Sequence, residues 1–176
     1  MKWKLNLTVI IILASVLLGC STVKDKIIKL EGTNVRIQIK NIVPMNDGDR
    51  LIAEKSLLLN SKIDPNQVYP YLPKCLFWAN LGKEYYGLTV TYGNSTNFVV
   101  KAIYVDRKSV LSDKNDPIEW LHFGALLSHE LHHYFYDSSD PETGKITDAV
   151  IYRKLAEDPL LLKRYIGWWK ELKQSL

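Results

Sequence analysis

The spacing of apolar and polar positions predicts β-structure in the first half of the chain and helices in the second. Between Val35 and Ile39, apolar residues alternate with polar ones, which is the period of a strand that buries one face. Segments 86–92 and 98–105 are rich in β-branched and aromatic residues and flank a Gly-Asn-Ser-Thr sequence at 93–96. This pattern predicts a β-hairpin.

The segments between these strands are less regular. Residues 50–60 are apolar without a clear period, which is compatible with a helix or a strand. Prolines then interrupt the chain three times between 65 and 73, and the pattern predicts a short helix that ends near Gly82.

The second half carries signals for three helices. The sequence Asp-Pro-Ile-Glu at 116–119 supplies an N-cap acid, a proline at the first helical position and a glutamate at the third. A helix is therefore predicted from there to Tyr136, and because it is apolar nearly all round it should be buried. Further helices are predicted over 147–157 and from Asp158-Pro159 to Lys173, the last packed onto the domain.

Composition narrows the class of protein. The chain has 176 residues, of which 47% are hydrophobic and 24% charged, so we expect one globular domain, and the order of elements predicts an α+β architecture. Its 23 Lys and Arg against 19 Asp and Glu give a formal charge of +4. This small excess is not typical of nucleic-acid binding, and we expect no nucleic-acid partner.

The first twenty residues have the features of a signal peptide. Lys2 and Lys4 precede an apolar run over 5–18, which is shorter than the roughly 20 residues of a membrane-spanning helix. The run ends in Leu-Leu-Gly-Cys at 17–20. This sequence resembles the lipobox of bacterial lipoproteins.

The lipoprotein resemblance implies a specific organisation. Residues 1–19 would be removed, Cys20 would carry the lipid, and residues 20–32 would link it to a single domain over 33–176. Ser21 follows the cysteine where an Asp would imply retention, so the resemblance implies the outer membrane, facing the periplasm. The chain would contact the membrane through its N-terminal lipid, including palmitate, rather than through a spanning segment.

The chemistry concentrates in the buried helix. All four histidines lie between positions 122 and 133, and His129, Glu130 and His133 form an H-E-x-x-H motif. Four residues along a helix rotate about 40° and rise about 6 Å, so the two imidazoles project from one side and can bind a single Zn²⁺. Glu130 is turned about 100° away, where it can act as a general base without ligating the metal.

The motif resembles that of the zincin metallopeptidases. The resemblance implies a small zincin-like domain, with N-terminal strands and a hairpin before the active-site helix and further helices after it. It also implies an edge strand that binds extended substrate, and the order along the chain suggests 98–105 for it. The metzincin branch requires Gly and His where Tyr136 and Ser139 stand, so a gluzincin-like or aspzincin-like site with an acidic third ligand is expected.

The sequence leaves the third ligand open. The candidate acids are Asp140, Glu142, Asp148 and Glu157. Asp148 is favoured because it begins the next predicted helix after a loop long enough to reverse the chain. Together with Thr147 and Tyr152 it also resembles the aspzincin pattern. Tyr152 lies one turn beyond Asp148, a position from which it can donate to a developing oxyanion, and ordinary packing is the alternative for this residue.

Three other residues have simpler interpretations. His122 lies seven residues, or about 10.5 Å, before His129, too far to share its metal, and is expected in the core or, as the alternative, in a supporting contact beside the metal ligands. His132 is expected to face solvent. Cys75 is expected to be buried as a small apolar residue.

The residues together predict a membrane-anchored zinc metallopeptidase. Glu130 would activate a zinc-bound water that hydrolyses a bond of a peptide or protein substrate. The alternative is a non-catalytic envelope lipoprotein that binds zinc or a partner.

The lipid anchor gives a first prediction. We expect Cys20→Ser to lose incorporation of labelled fatty acid and to leave the membrane pellet, because the only acylated thiol is removed. Cys75→Ser is the matched control and should retain both properties. Acylation of the Cys20→Ser protein would refute the lipoprotein interpretation.

Overall fold

The computed structural model describes residues 26–29, 36–82, 85–93, 99–136 and 140–175. The strands are β1 (Lys26–Lys29), β2 (Arg36–Pro44), β3 (Leu76–Asn80), β4 (Gly87–Gly93) and β5 (Val99–Asp106). The helices are α1 (Asp47–Ile63), α2 (Arg107–Val110), α3 (Pro117–Tyr136), α4 (Asp140–Ile146), α5 (Asp148–Glu157) and α6 (Leu161–Lys173). The predicted α+β class is confirmed.

The strands form one curled sheet in the order β1-β2-β3-β5-β4. β3 and β5 run parallel, and the other neighbouring pairs are antiparallel. The predicted strand near 35–39 lies within β2. The predicted hairpin is also confirmed, since β4 pairs with β5 from Gly87 opposite Val105 to Gly93 opposite Val99.

The position of the edge strand differs from the expectation. Residues 98–105 were expected at the edge, but β5 lies between β3 and β4, and that prediction is wrong. The second strand of the hairpin turns inward and pairs with β3, which leaves the first strand, β4, at the end of the sheet.

The helix predicted to end near Gly82 is also wrong, because this segment forms β3. Side chains of β3 are buried on both faces of the sheet. Leu76 and Trp78 face the cluster beneath the helices, whereas Phe77 and Ala79 belong to a second cluster on the other face. A strand buried on both faces has no alternation of apolar and polar residues, so its period cannot identify it.

The structure settles one segment that the sequence left open and adds two elements that were not predicted. Residues 50–60 lie within α1, which begins after Asn46, whose side chain accepts a hydrogen bond from the Asp49 amide at 2.8 Å. β1 is formed by residues 26–29, within the region assigned to the linker. α4 was not predicted, although its Asp140-Pro141 start repeats the signal that opens α3.

Helix α3 confirms the prediction and carries the core. Phe123, Leu127 and Leu131 are fully buried against the sheet and α1. α1 approaches most closely at Gly124, where an added Cβ would lie 2.7 Å from the backbone oxygen of Ser56.

The C-terminal helices α5 and α6 are also as predicted. α6 packs onto the core through Leu161, Tyr165 and Trp169. Within the described ranges, no helix is long and apolar enough to cross a membrane. The predicted signal peptide and Cys20 lie outside the described residues.

The close crossing at Gly124 gives a second prediction. Gly124→Ala should lower the free energy of unfolding by about 1–3 kcal/mol, because its methyl group overlaps the α1 backbone. Gly167→Ala is the matched helical control and should raise it by about 0.4–1 kcal/mol, since nothing lies within 4 Å of its Cβ position. Urea denaturation of both variants measures the difference, and equal effects would show that the crossing is not tight.

Candidate active site

The two histidines of the motif converge from one side of α3. The Nε2 atoms of His129 and His133 lie 3.0 Å apart, and their ring centroids are 4.8 Å apart with the planes at 70°. One helical turn separates the two residues, so both rings project toward α4 and α5. The sequence prediction that these imidazoles share one side of the helix is confirmed.

The converging nitrogens have the arrangement of a pair of metal ligands. Two nitrogens bound to one tetrahedral zinc at 2.0–2.1 Å lie about 3.3 Å apart, close to the separation found here. Two lone pairs this close repel each other unless a proton or a cation lies between them. The pair therefore fits zinc, although the described side chains assemble no group of three or more His, Cys, Asp or Glu that could hold a metal.

Asp148 contacts the opposite side of the His129 ring. Its Oδ1 lies 3.1 Å from His129 Nδ1 and accepts a hydrogen bond from the Thr147 hydroxyl at 3.1 Å. Burial raises the pKa of Asp148, but the hydrogen bond and charge of His129, together with Thr147, outweigh burial and hold this pKa below its ordinary value. An ionised Asp148 is therefore the hydrogen-bond acceptor of the pair.

This contact determines which nitrogen of His129 is available. When Nδ1 carries the proton donated to Asp148, Nε2 keeps its lone pair and directs it toward His133. A carboxylate on the second nitrogen is the usual partner of a metal-binding histidine. The assignment of Asp148 as the third ligand stays a prediction, because the contact made here is to Nδ1 and not at the point where the Nε2 atoms converge.

The other acidic candidates lie elsewhere or outside the described side chains. Glu157 ends α5, nine residues after Asp148, and is 4.0 Å from Arg153. Glu142 is exposed on α4. The side chain of Asp140 lies outside the described part of the structure.

The His133 ring is contacted by a residue of α4. Thr143 is fully buried, and its hydroxyl lies 3.4 Å from His133 Nδ1. The Thr147 hydroxyl shares its single proton between Asp148 and the carbonyl oxygen of Thr143, which lies 2.7 Å away. α4 thus links His133 to the start of α5, where Asp148 contacts His129.

Glu130 faces the edge strand β4. The Thr89 hydroxyl donates to its Oε2 at 2.7 Å and lies 2.9 Å from its carbonyl oxygen. Gly87 allows this approach, because a Cβ there would lie 2.7 Å from Glu130 Oε1. Glu130 is only 4% exposed, so its carboxylate is held against the strand.

Tyr152 contacts His122 rather than the motif histidines. Tyr152 lies one helical turn beyond Asp148, and its hydroxyl is 2.7 Å from His122 Nδ1. Burial and the charge of Asp148 raise the pKa of Tyr152 to about 12, so the hydroxyl keeps its proton at neutral pH. The prediction that His122 is a core residue is wrong, because its side chain is exposed to solvent.

Sequence reasoning did not identify Gly87, Thr89 and Thr143. Gly87 and Thr89 belong to a strand more than forty residues before Glu130, and no spacing links them to the motif. The signal for Thr143 is the Asp-Pro start of α4, which lies in the segment expected to be a loop before the helix over 147–157.

Comparison with known proteins gives no family for this chain. No family model, curated protein or solved structure matches it. The function must therefore be argued from the site itself.

The Thr89 contact gives a third prediction. Thr89→Val keeps the shape of the side chain but removes the donor to a buried carboxylate, so we expect it to lower the free energy of unfolding by about 1.5–3 kcal/mol at pH 7. Thr91→Val is the matched control on the same strand, where the threonine is exposed, and should change it by about 0.5 kcal/mol or less. Equal losses in urea denaturation would contradict a specific role for the Thr89 hydroxyl.

Proposed function

We propose that this protein is a zincin-like, zinc-dependent metallopeptidase anchored in the bacterial cell envelope by a lipid on Cys20. The observation that carries the proposal is the convergence of His129 and His133 Nε2 at 3.0 Å. Apart from a shared proton, only a cation relieves the repulsion of two such lone pairs, and zinc is the metal that this motif takes most often.

The metal would be held by His129 and His133 together with an acidic ligand. Asp148 is the candidate, and to take that place its carboxylate would have to leave His129 Nδ1 for the point where the Nε2 atoms converge. When bound, zinc would lower the pKa of a coordinated water to about 7 and polarise a peptide carbonyl. Asp148 orients His129 through Nδ1, and Thr143 does the same for His133. These contacts limit ring rotation, which supports a site prepared for a metal.

Glu130 would act as the general base. It lies one residue after His129, turned toward β4, and is held there by Thr89. A carboxylate fixed beside the metal can accept a proton from the attacking water and return it to the leaving amine. Its burial excludes bulk water, so the proton is not exchanged freely with solvent.

A peptide substrate would bind along β4. This strand is at the end of the sheet order, and Gly87 and Thr89 bring it into contact with Glu130. An extended peptide can add to an edge strand through main-chain hydrogen bonds, which gives affinity that depends little on side chains. A scissile carbonyl on such a peptide would lie near the base and the metal.

Tyr152 is the candidate donor to the oxyanion that forms on the carbonyl. Its raised pKa keeps the hydroxyl protonated at neutral pH, as a donor requires. His122 holds this hydroxyl at 2.7 Å, so the role requires the hydroxyl to exchange that partner for the substrate.

A second candidate function is a non-catalytic lipoprotein that binds zinc or a partner. The observation that favours it is the placement of Glu130, which is 4% exposed and already hydrogen-bonded to Thr89. A structural carboxylate would have the same surroundings. A variant that affects only proton transfer separates the two functions.

Glu130→Gln is that variant. It keeps the size of the side chain and its contact with Thr89 but cannot accept a proton, so zinc content should be unchanged while peptide cleavage falls by about 10²- to 10⁴-fold. His129→Ala and His133→Ala should each lose the metal, and His132→Ala is the matched control that should keep it. Metal analysis and cleavage of a peptide library measure the two effects.

Two results would contradict the proposal. Zinc retained at one equivalent in the double variant His129→Ala/His133→Ala would refute the metal site. Zinc-loaded protein that cleaves no peptide above the Glu130→Gln background would refute the peptidase and leave the binding lipoprotein.

A further inference from the structure

One loop of the chain makes hydrogen bonds to both of the helical segments that carry His129 and Asp148. The segment 64–69, which we call the brace, follows α1 and carries Asp64, Gln67 and Tyr69. Asp64 and Gln67 are each 2% exposed. Polar side chains this deeply buried are costly unless they make specific hydrogen bonds.

The first contact of the brace is with α5. Gln67 Nε2 donates to the carbonyl oxygen of Thr147 at 2.7 Å, across 80 residues of sequence. Thr147 is the residue immediately before Asp148. The position of the Asp148 side chain therefore depends on a backbone carbonyl that Gln67 holds.

The second contact is with α3. The Tyr69 hydroxyl donates to the carbonyl oxygen of Ser128 at 2.7 Å. Ser128 is the residue immediately before His129. Two side chains of one loop thus hold the residues that precede both members of the His129–Asp148 pair.

An ion pair between the buried Asp64 and the partly exposed Lys154 fixes the brace to α5 at another point. Lys154 Nζ donates to Asp64 Oδ1 at 3.0 Å and to the carbonyl of Ile63 at 3.3 Å. Asp64 Oδ2 in turn lies 3.5 Å from Gln67 Nε2. Since α5 is attached to the brace at its start and again near Lys154, both its position and its rotation are fixed.

We infer that Gln67 and Tyr69 are positioning residues that set the geometry of the His129–Asp148 pair, an inference that rests on the metal site of the proposed function. The contacts described for both residues are with backbone carbonyls, so they would act on the site through the position of α3 and α5. Their effect is to keep α3 and α5 at the separation where His129 Nδ1 donates to Asp148. Without them, His129 loses the partner that fixes its tautomer, and fewer molecules present Nε2 as a ligand.

The test uses paired variants of the full-length protein. Gln67→Met with Tyr69→Phe removes both polar groups at nearly constant volume. The matched control is Asn60→Leu with Tyr165→Phe. Asn60 Nδ2 also donates to an α3 carbonyl, that of Leu121, but eight residues before His129, and the buried Tyr165 hydroxyl has no hydrogen-bond partner among the described residues.

Two measurements are made on each protein. Competition with a chromophoric chelator gives the dissociation constant for Zn²⁺ alone, and ¹⁵N–¹H correlation spectra of the metal-free protein give the tautomer of each of the four histidines. We expect the brace variant to bind zinc about tenfold more weakly and its His129 to become a mixture of tautomers. His132 should be unchanged and serves as the internal control. The control variant should match the wild type in both measurements, even if its melting temperature falls as far.

The outcomes separate this inference from the proposed function. Zinc affinity within about twofold of the wild type and an unchanged His129 tautomer in the brace variant would overturn the inference, whatever the loss of stability. If the wild type binds no zinc, the proposed function fails, and the tautomer comparison alone decides the role of the brace. If the double variant does not fold, Tyr69→Phe by itself is measured against Tyr165→Phe and decides by the same criteria.

Discussion

Helix α3 is buried on the side that faces the sheet and α1, and this burial fixes its rotation about its own axis. Phe123, Leu127 and Leu131 occupy the core side, so the helical period sends His129 and His133 toward α4 and α5. Glu130 is left at the boundary that β4 covers. A small rotation of the helix would expose leucines and bury an imidazole, and both changes would be costly.

The secondary structure of the second half of the chain could be predicted because its helices carry clear sequence signals. The Asp-Pro signal at 116 marks the start of α3, and the signal at 158 precedes α6, which begins at Leu161. The H-E-x-x-H spacing places two imidazoles together because both lie on one rigid element. The Asp-Pro sequence at 140–141 did not lead to a predicted helix, although α4 begins there. In the first half, the prediction for β3 is wrong because a strand buried on both faces has no alternation of apolar and polar residues. Strand β1 is too short for its alternation to be recognised.

The features that the sequence could not predict are contacts between distant segments. The Thr89–Glu130 contact spans 41 residues, and the Gln67–Thr147 contact spans 80. A threonine in a strand or a glutamine after a helix is ordinary by itself, and only the fold shows what each one touches. The side of the His129 ring that Asp148 reaches is likewise a property of how α5 packs, because the sequence indicates only that an acid follows the motif at a suitable distance.

The two carboxylates beside the histidines have different surroundings, and this difference supports different roles. Asp148 is 39% exposed and is held by an imidazole and a hydroxyl, which favours a permanent charge that orients His129. Glu130 is 4% exposed and its described hydrogen bond comes from the neutral hydroxyl of Thr89. A protonated Asp148 would be a weaker acceptor for His129, so the orienting role requires this carboxylate to stay ionised. Under the proposed function, Asp148 would orient His129 and Glu130 would accept the proton of the attacking water, the division of roles that hydrolysis at a metal requires of the protein.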